Sequence, residues 1–588
     1  MLSPVLRSLL GLWMMGLLAG KAAAPRNVTI RFEHNIDGQP LGLNHRYHTN
    51  SFGDRFSITR LDYLLSDIAL RHADGRWMNS EDWFALISVD ANQKTAKLTA
   101  VPPGDFTAVR FHVGVAPKIN ARDPADWPGD HPLNPQRNNL YWNWQQGYVF
   151  LALEGHLHQT ETAPDGYSYH LGNNANLMSV ELPVELNTRI HSTIDISFNV
   201  GQMVSFDMKS QKSTHSREGD PLASKLARNV SAGGAFNIQR LSSDTFQTLN
   251  TNTADNRVQN HGTPYPLSIS RRFPKPLLPA NNPLTIEGVS LGRRIFHDPA
   301  LSRDKTVSCA SCHDRTHAFT DPNRRFSEGV DQQVGERNSM PLFNLAWHPA
   351  FFWDGRAQTL REQALQPIEN PKEMGAKITD VISYLGNNET YRQMFHDAYG
   401  DSSVTAGRIG KALEQFLLTL VSQNSKFDRA ARGETKLTAE EQRGLRLFIT
   451  EHDPKQNLFG ADCFHCHGGN LFTNHRFADN GLGHDEADLG RYRVTGAASD
   501  RGSFKAPTLR NIAVTSPYMH DGRFQTLDEV IDHYSSEVER TDTLDPNLAK
   551  HPAAGLNLST ADKRALVAFL KTLTDKEFLQ ITPTKDQP

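Results

Sequence analysis

Cysteine is nearly absent from this chain of 588 residues: there are four, all inside Cys309-Ala310-Ser311-Cys312-His313 and Cys463-Phe464-His465-Cys466-His467. None is left over, so a disulfide framework is excluded. An excess of basic residues is also lacking, since 62 Lys and Arg face 65 Asp and Glu for a net charge of −3. A nucleic-acid binder would need surplus cations to neutralise phosphates. No apolar run reaches the roughly 20 residues that span a bilayer. With 38% hydrophobic and 22% charged residues, the composition is that of a globular chain, and its length suggests two or three domains. Histidine, by contrast, is plentiful at 25 residues.

Both cysteine stretches have the C-x-x-C-H form that attaches c-type haem: two thioether bonds fix the porphyrin edge, and the following histidine reaches the iron. A zinc or redox C-x-x-C can precede histidine by chance, but two motifs that use every cysteine favour two covalent haems. The histidine ligands are then His313 and His467. Near the start of the chain, Arg7, the apolar run 9–18 and Ala22-Ala23-Ala24 read as a secretory signal over residues 1–24. That predicts a periplasmic protein, which agrees with haem attachment outside the cytoplasm.

From 27 to 241 the hydrophobic period is two, as in Val28, Ile30 and Phe32, with a hairpin turn at Ala73-Asp74-Gly75-Arg76. This pattern predicts an all-β sandwich. Residues 117–139 read as a long loop and 242–282 as a linker. Beyond them the period becomes helical, for example in the stripe Ile409, Leu413, Phe416, Leu417 and Leu420, and in the capping box that starts at Thr438. An internal repeat divides this part into haem modules at 283–432 and 433–579. Leu291-Gly292-Arg293-Arg294-Ile295-Phe296 precedes the first motif, and Arg443-Gly444-Leu445-Arg446-Leu447-Phe448 the second. Trp353-Asp354-Gly355-Arg356 matches His520-Asp521-Gly522-Arg523. The fold class is therefore multidomain, an N-terminal β-sandwich followed by mainly α dihaem cytochrome c modules.

The repeat predicts different irons. Leu527, Val530, Ile531 and Tyr534 fall on one face of an expected helix, and the repeat sets Pro367 against Tyr534. A tyrosine could close the second iron, whereas proline leaves the first open for peroxide. A core tyrosine with a satisfied hydroxyl is the alternative, with Met519, His520 and His533 as rival ligands. Gln363 and Glu373 lie near the open position, where a carboxylate could move a proton between peroxide oxygens; a solvated helix face is the alternative. Trp353 is either core filler or a bridge between haems. His34 is in phase with the inward residues of its strand. His156 and His158 are expected on a surface turn.

The motifs Arg337-Asn338-Ser339, Phe352-Trp353-Asp354-Gly355-Arg356, Glu373-Met374, Pro507-Thr508-Leu509-Arg510-Asn511 and Pro517-Tyr518-Met519-His520-Asp521-Gly522 resemble the bacterial dihaem cytochrome c peroxidase and MauG superfamily. The resemblance implies Tyr534 as a MauG-type distal ligand, Trp353 between the haems, and Gln363, Pro367 and Glu373 over the open haem. It also implies a calcium held by the Asn338 side chain and the Thr515 and Pro517 carbonyls. The N-terminal segment, with Phe32-Glu33-His34, Leu133-Asn134-Pro135, Tyr141-Trp142-Asn143-Trp144 and His170-Leu171-Gly172, resembles the MbnP family, copper-binding partners of the MauG-like enzyme MbnH. In that family a tryptophan is oxidised to kynurenine and helps histidines bind copper. Carried over, this implies copper on His34 and His170, with Trp142 or Trp144 modified.

The expected function is peroxide-driven oxidation of a protein tryptophan, in the chain's own copper-binding domain or in a homologous partner. The rival readings are a peroxidase that draws electrons from a small redox protein, and a copper carrier under haem redox control.

Overall fold

The computed structural model describes residues 24–44, 46–80, 82–142, 146–158, 164–243, 261–483 and 485–580. Residues 1–23 of the expected signal, Trp144 and residues 244–260 of the expected linker lie outside them. Among the described residues no helix is long and apolar enough to cross a membrane.

The N-terminal half is built of two sheets. In the smaller, Arg26–Ile36 pairs in parallel with Thr193–Asn199 and antiparallel with Thr95–Val101. The larger is organised around the long strand Arg55–His72, which pairs with Asp105–Val113 and with Gly147–Leu157. The alternation read from the sequence buries Val28, Ile30, Phe32, His34 and Ile36 on one face of the first strand. Phe32 meets Tyr63 and Phe111 of the other sheet edge-on, with ring centres 6.1 and 6.0 Å apart. Each such fully buried side chain contributes about 1.5–3 kcal/mol. At 73–76 the chain reverses as a hairpin, and Gly75 takes a φ of +88° that other residues avoid.

Strand Gly147–Leu157 is buried at every residue. One of its faces packs on the sandwich core, and the helical half approaches the other. His156, expected on a surface turn, lies within this strand and donates from Nε2 to the Leu544 carbonyl at 2.7 Å. The surface reading fails because the following domain covers the position. Arg476 completes the seam, reaching Asp90 at 2.7 Å and Asp62 at 3.5 Å.

The helical half repeats one packing device. Gly292 in helix Ile286–His297 lies against helix Ala406–Leu418, and Gly444 in helix Ala439–Phe448 lies against helix Thr560–Lys571. A Cβ on either glycine would stand 1.9 Å from a carbonyl oxygen, that of Ala412 or of Ala565. The repeated glycine is therefore a point of backbone contact, and the repeated phenylalanine, Phe296 or Phe448, fills the core beside it. Gly444→Ala should destabilise the second module by about 1–3 kcal/mol through overpacking, measured by denaturant unfolding of the haem-loaded protein. A change within 0.5 kcal/mol of zero, about the effect of a neutral surface substitution, would contradict this account.

Candidate haem sites and a histidine cluster at the domain seam

Cys309–Cys312 forms a single helical turn that delivers His313 into a pocket of about 680 Å³. His313 donates from Nδ1 to the Phe319 carbonyl at 2.7 Å, which leaves Nε2 for iron. Burial lowers its pKa to about 4, so the imidazole is neutral and able to ligate at pH 7. Burial also pushes the Cys309 thiol up to about 12, an environment that suits thioethers better than thiolates. The residues present therefore fit a covalent haem.

The same pocket is lined by Gln363, Pro367, Glu373 and Trp353, so the residues expected over the open haem share one cavity. Asn370 donates to Glu373 Oε1 at 2.7 Å. Burial raises the Glu373 pKa above the ordinary glutamate value, against the opposing effect of the Asn370 hydrogen bond. Pro367 sits inside helix Leu360–Glu369. Trp353 is buried, and its indole donates to the Asn338 carbonyl at 2.9 Å while its own carbonyl accepts from the Lys505 amide at 2.8 Å. That straps it between segments of both modules. Asn338 is itself tied across the modules by its amide N–H to the His520 carbonyl, 2.7 Å. The Asn338 side-chain amide donates to the Arg324 and Arg325 carbonyls. Its Oδ1 is thus the atom with which it would face a calcium ion, while Thr515 and Pro517 lie on either side of Ser516.

In the second module, Phe464–His467 carries His467, whose Nδ1 faces the Pro507 and Phe472 carbonyls at 3.1 and 3.3 Å. Burial lowers its pKa to about 4. Tyr534 is not on a simple continuation of its helix. The α-helix Leu527–Asp532 gives way to a π-turn, His533–Glu537, so the 3.6-residue phasing that put Tyr534 in line with Ile531 does not apply there. Asn480 donates to the Tyr534 hydroxyl at 3.1 Å, and Met519 Sδ lies 3.6 Å from the same amide. Burial pushes Tyr534 up to about 12, and a ferric iron would have to displace its proton. Of the other rivals, His533 is held by the Asn480 carbonyl at 3.0 Å and His520 stacks on Phe504 with ring centres 3.5 Å apart.

The expected copper pair is not brought together. His34 stands on the smaller sheet, its Nε2 3.0 Å from the Tyr63 hydroxyl in the sandwich core, whereas His170 belongs to the larger sheet, opposite Ala152. His170 meets two histidines that the sequence reading did not select. His215 follows a short strand whose Thr214 pairs in parallel with Tyr169, which sets it abreast of His170. His465 comes from inside the second haem motif. One nitrogen from each of the three lies within 4.8 Å of the others, and His215 Nε2 is 2.7 Å from His465 Nε2. Trp142 borders the cluster, its ring centre 6.0 Å from that of His215 and 6.4 Å from that of His170. A Cβ on Gly172 would strike this indole at 2.7 Å, so the glycine after Leu171 makes room for it.

His215 escaped sequence reading because Ser213-Thr214-His215-Ser216 has no periodic signal, and His465 because it occupied a spacer position of a motif already explained. Glu154, which the sequence reading did not select either, lies 2.8 Å from His170 Nε2 and 2.7 Å from Arg60.

Residues 286–436 match the model of the di-haem cytochrome c peroxidase family, and residues 25–218 match that of MbnP. The methylamine utilization protein MauG of Methylophilus methylotrophus is 34% identical over 302 residues, 50% of this chain and 84% of that protein. The cytochrome c551 peroxidase of Nitrosomonas europaea is 36% identical over 300 residues, 50% of this chain and 82% of that one. A crystal structure of a MauG-like protein associated with microbial copper homeostasis aligns at 33% identity with a TM-score of 0.47, covering 54% of this chain and 97% of the other.

Two outcomes are expected. Tyr534→Phe should alter the ferric spectrum of the second haem; a spectrum identical to wild type would remove tyrosine as the ligand. Because the raised pKa of Glu373 keeps it protonated into less acidic solution, and proton uptake from peroxide needs the carboxylate, peroxide reactivity should fall as pH drops through that pKa. Glu373→Gln should slow the reaction by about 10²–10⁴-fold and abolish this acid limb, as read by stopped-flow absorbance.

Proposed function

The chain belongs to the di-haem cytochrome c peroxidase family, whose members are haem-dependent and act with hydrogen peroxide, and on that premise we propose that it oxidises Trp142 of its own copper-binding N-terminal domain. Bound haem would supply the reduction of peroxide and the oxidising power. Glu373 takes a proton from one peroxide oxygen and returns it to the other, while Gln363 orients the outer oxygen. Pro367, which offers no ligand atom, keeps that face open. Trp353 connects the two modules, and Tyr534 closes the second site with a charge-donating oxygen. Calcium at Asn338, Thr515 and Pro517 would brace the junction, and the protein works in the periplasm.

The observation that carries this reading is the position of Trp142. Its ring borders His215, which touches His465 between the two haem-bearing cysteines of the second module. The indole is thus one histidine away from the haem-attachment segment, and oxidation within one chain needs no diffusional encounter. The chemistry balances with peroxide alone: two hydrogen peroxide molecules convert the indole to N-formylkynurenine and two waters, and hydrolysis releases formate to leave kynurenine.

Plain peroxide reduction with electrons from a small redox protein is the second reading. It is favoured by the place of Met519, whose sulfur shares the Asn480 amide with Tyr534. Peptide mapping of haem-loaded protein after peroxide treatment separates the two. Kynurenine at Trp142, formed more slowly in Trp353→Phe, is expected. Unmodified Trp142 would overturn oxidation in cis and leave the peroxidase.

A further inference from the structure

We propose that His170, His215 and His465 form a single copper site shared by the two domains, and that cuprous ion bound there delivers electrons to the second haem. The proposal rests on the reading above only in taking the N-terminal domain as copper-binding; it does not need Trp142 to be oxidised. Each imidazole has one nitrogen against a buried carboxylate. Glu154 lies 2.8 Å from His170 Nε2, Glu451 2.6 Å from His215 Nδ1, and Asp462 2.8 Å from His465 Nδ1. A carboxylate on one ring nitrogen fixes the tautomer and raises the basicity of the other, which is how metal-bound histidines are commonly supported. His170 Nδ1 is buried without a hydrogen-bond partner among the described residues.

The facing pair makes the same point. His215 Nε2 and His465 Nε2 face each other at 2.7 Å, the distance of an N–H···N hydrogen bond, and a cation that takes both nitrogens would replace the shared proton. Metal–imidazole bonds of roughly 2 Å in a trigonal site would open this separation by less than about 1 Å. Imidazole nitrogen suits copper, and among divalent ions cupric outranks zinc for a given nitrogen set. Trp142, Phe464 and His465 also line a cavity of about 120 Å³ beside the cluster, room for an ion to arrive.

The ligand His465 decides the role. It stands between Cys463 and Cys466, so its metal is joined to the nearer thioether of the second haem through its own side chain and one peptide bond. A cuprous ion there gives one electron and becomes cupric, and a second cuprous ion that takes its place gives the next, so that two cuprous ions and two protons reduce one hydrogen peroxide to two waters and leave two cupric ions.

The test uses full-length, haem-loaded protein titrated anaerobically with cuprous ion against a chromophoric cuprous chelator. One copper per chain is expected. His215→Ala and His465→Gln should lose it, and Glu451→Gln, which keeps all three ligands, should weaken it by about 10–100-fold. Haem content is measured in parallel, so that a misfolded or unloaded variant is recognised. His465→Gln that binds copper as wild type does, a site that takes zinc but not copper, or loss of copper in His34→Ala with retention in His215→Ala would each overturn the site. Mixing cuprous-loaded protein with peroxide should give a cupric paramagnetic signal with nitrogen hyperfine structure, two coppers per peroxide. Changes in the haem bands without that signal would overturn the electron transfer. Trp142→Phe should still bind copper, so failure of tryptophan oxidation and failure of this site are read separately.

Discussion

The carboxylate of Glu154 is the charge on which the two halves of the chain meet. It lies on a strand with no exposed residue, and a carboxylate in such a place is costly unless paired and hydrogen-bonded. Arg60 from its own sheet supplies the countercharge at 2.7 Å, His170 takes a second contact at 2.8 Å, and Asn547 of the haem half donates to the other oxygen at 3.3 Å. The Arg60 guanidinium holds Glu154 well below the usual carboxylate range against the opposing effect of burial, so the group stays ionised. Docking of the haem half gives the second oxygen its partner, and this docking carries His465 to the sheet edge.

The helical half shows how one packing solution is turned to two chemistries. Gly292 and Gly444 make the same helix contact, and the turns at Gly355 and Gly522 share a positive φ. With the scaffold held constant, the two sites differ at a few positions. The segment over the first site is an ordinary helix containing Pro367. The corresponding segment of the second ends in a π-turn that presents Tyr534 to the Asn480 amide. A π-turn is less favourable than the α-helix it interrupts and is frequent at functional positions.

How much of this was legible in the sequence depends on the range of the interaction involved. Haem attachment is local, five residues with a fixed chemistry, and both motifs were plain. The alternation of Val28, Ile30 and Phe32 and the stripe from Ile409 to Leu417 report which face is buried, so the architecture of each half could be read. Phasing also gave the inward direction of His34, but not that Tyr63 would be its partner. The histidine cluster was not legible, because its members come from a parallel strand pairing, a spacer in a haem motif and a docked domain. His156 was misread for the same reason: a residue after which a turn is expected on one domain can be interior once the next domain covers it. The π-turn at Tyr534 was invisible as well, since Leu527 to Ile531 carries an unbroken α-helical pattern.

The burial of His465, with 3% of its side chain exposed, also bears on the order in which the protein is made. Enzymes that join haem to Cys463 and Cys466 must grip the segment containing this histidine, yet in the finished fold the sandwich domain stands directly over it. The second module therefore has to receive its haem before the domains close together, although the sandwich precedes it along the chain. Maturation thus imposes a state in which the N-terminal domain remains undocked until its neighbour is complete.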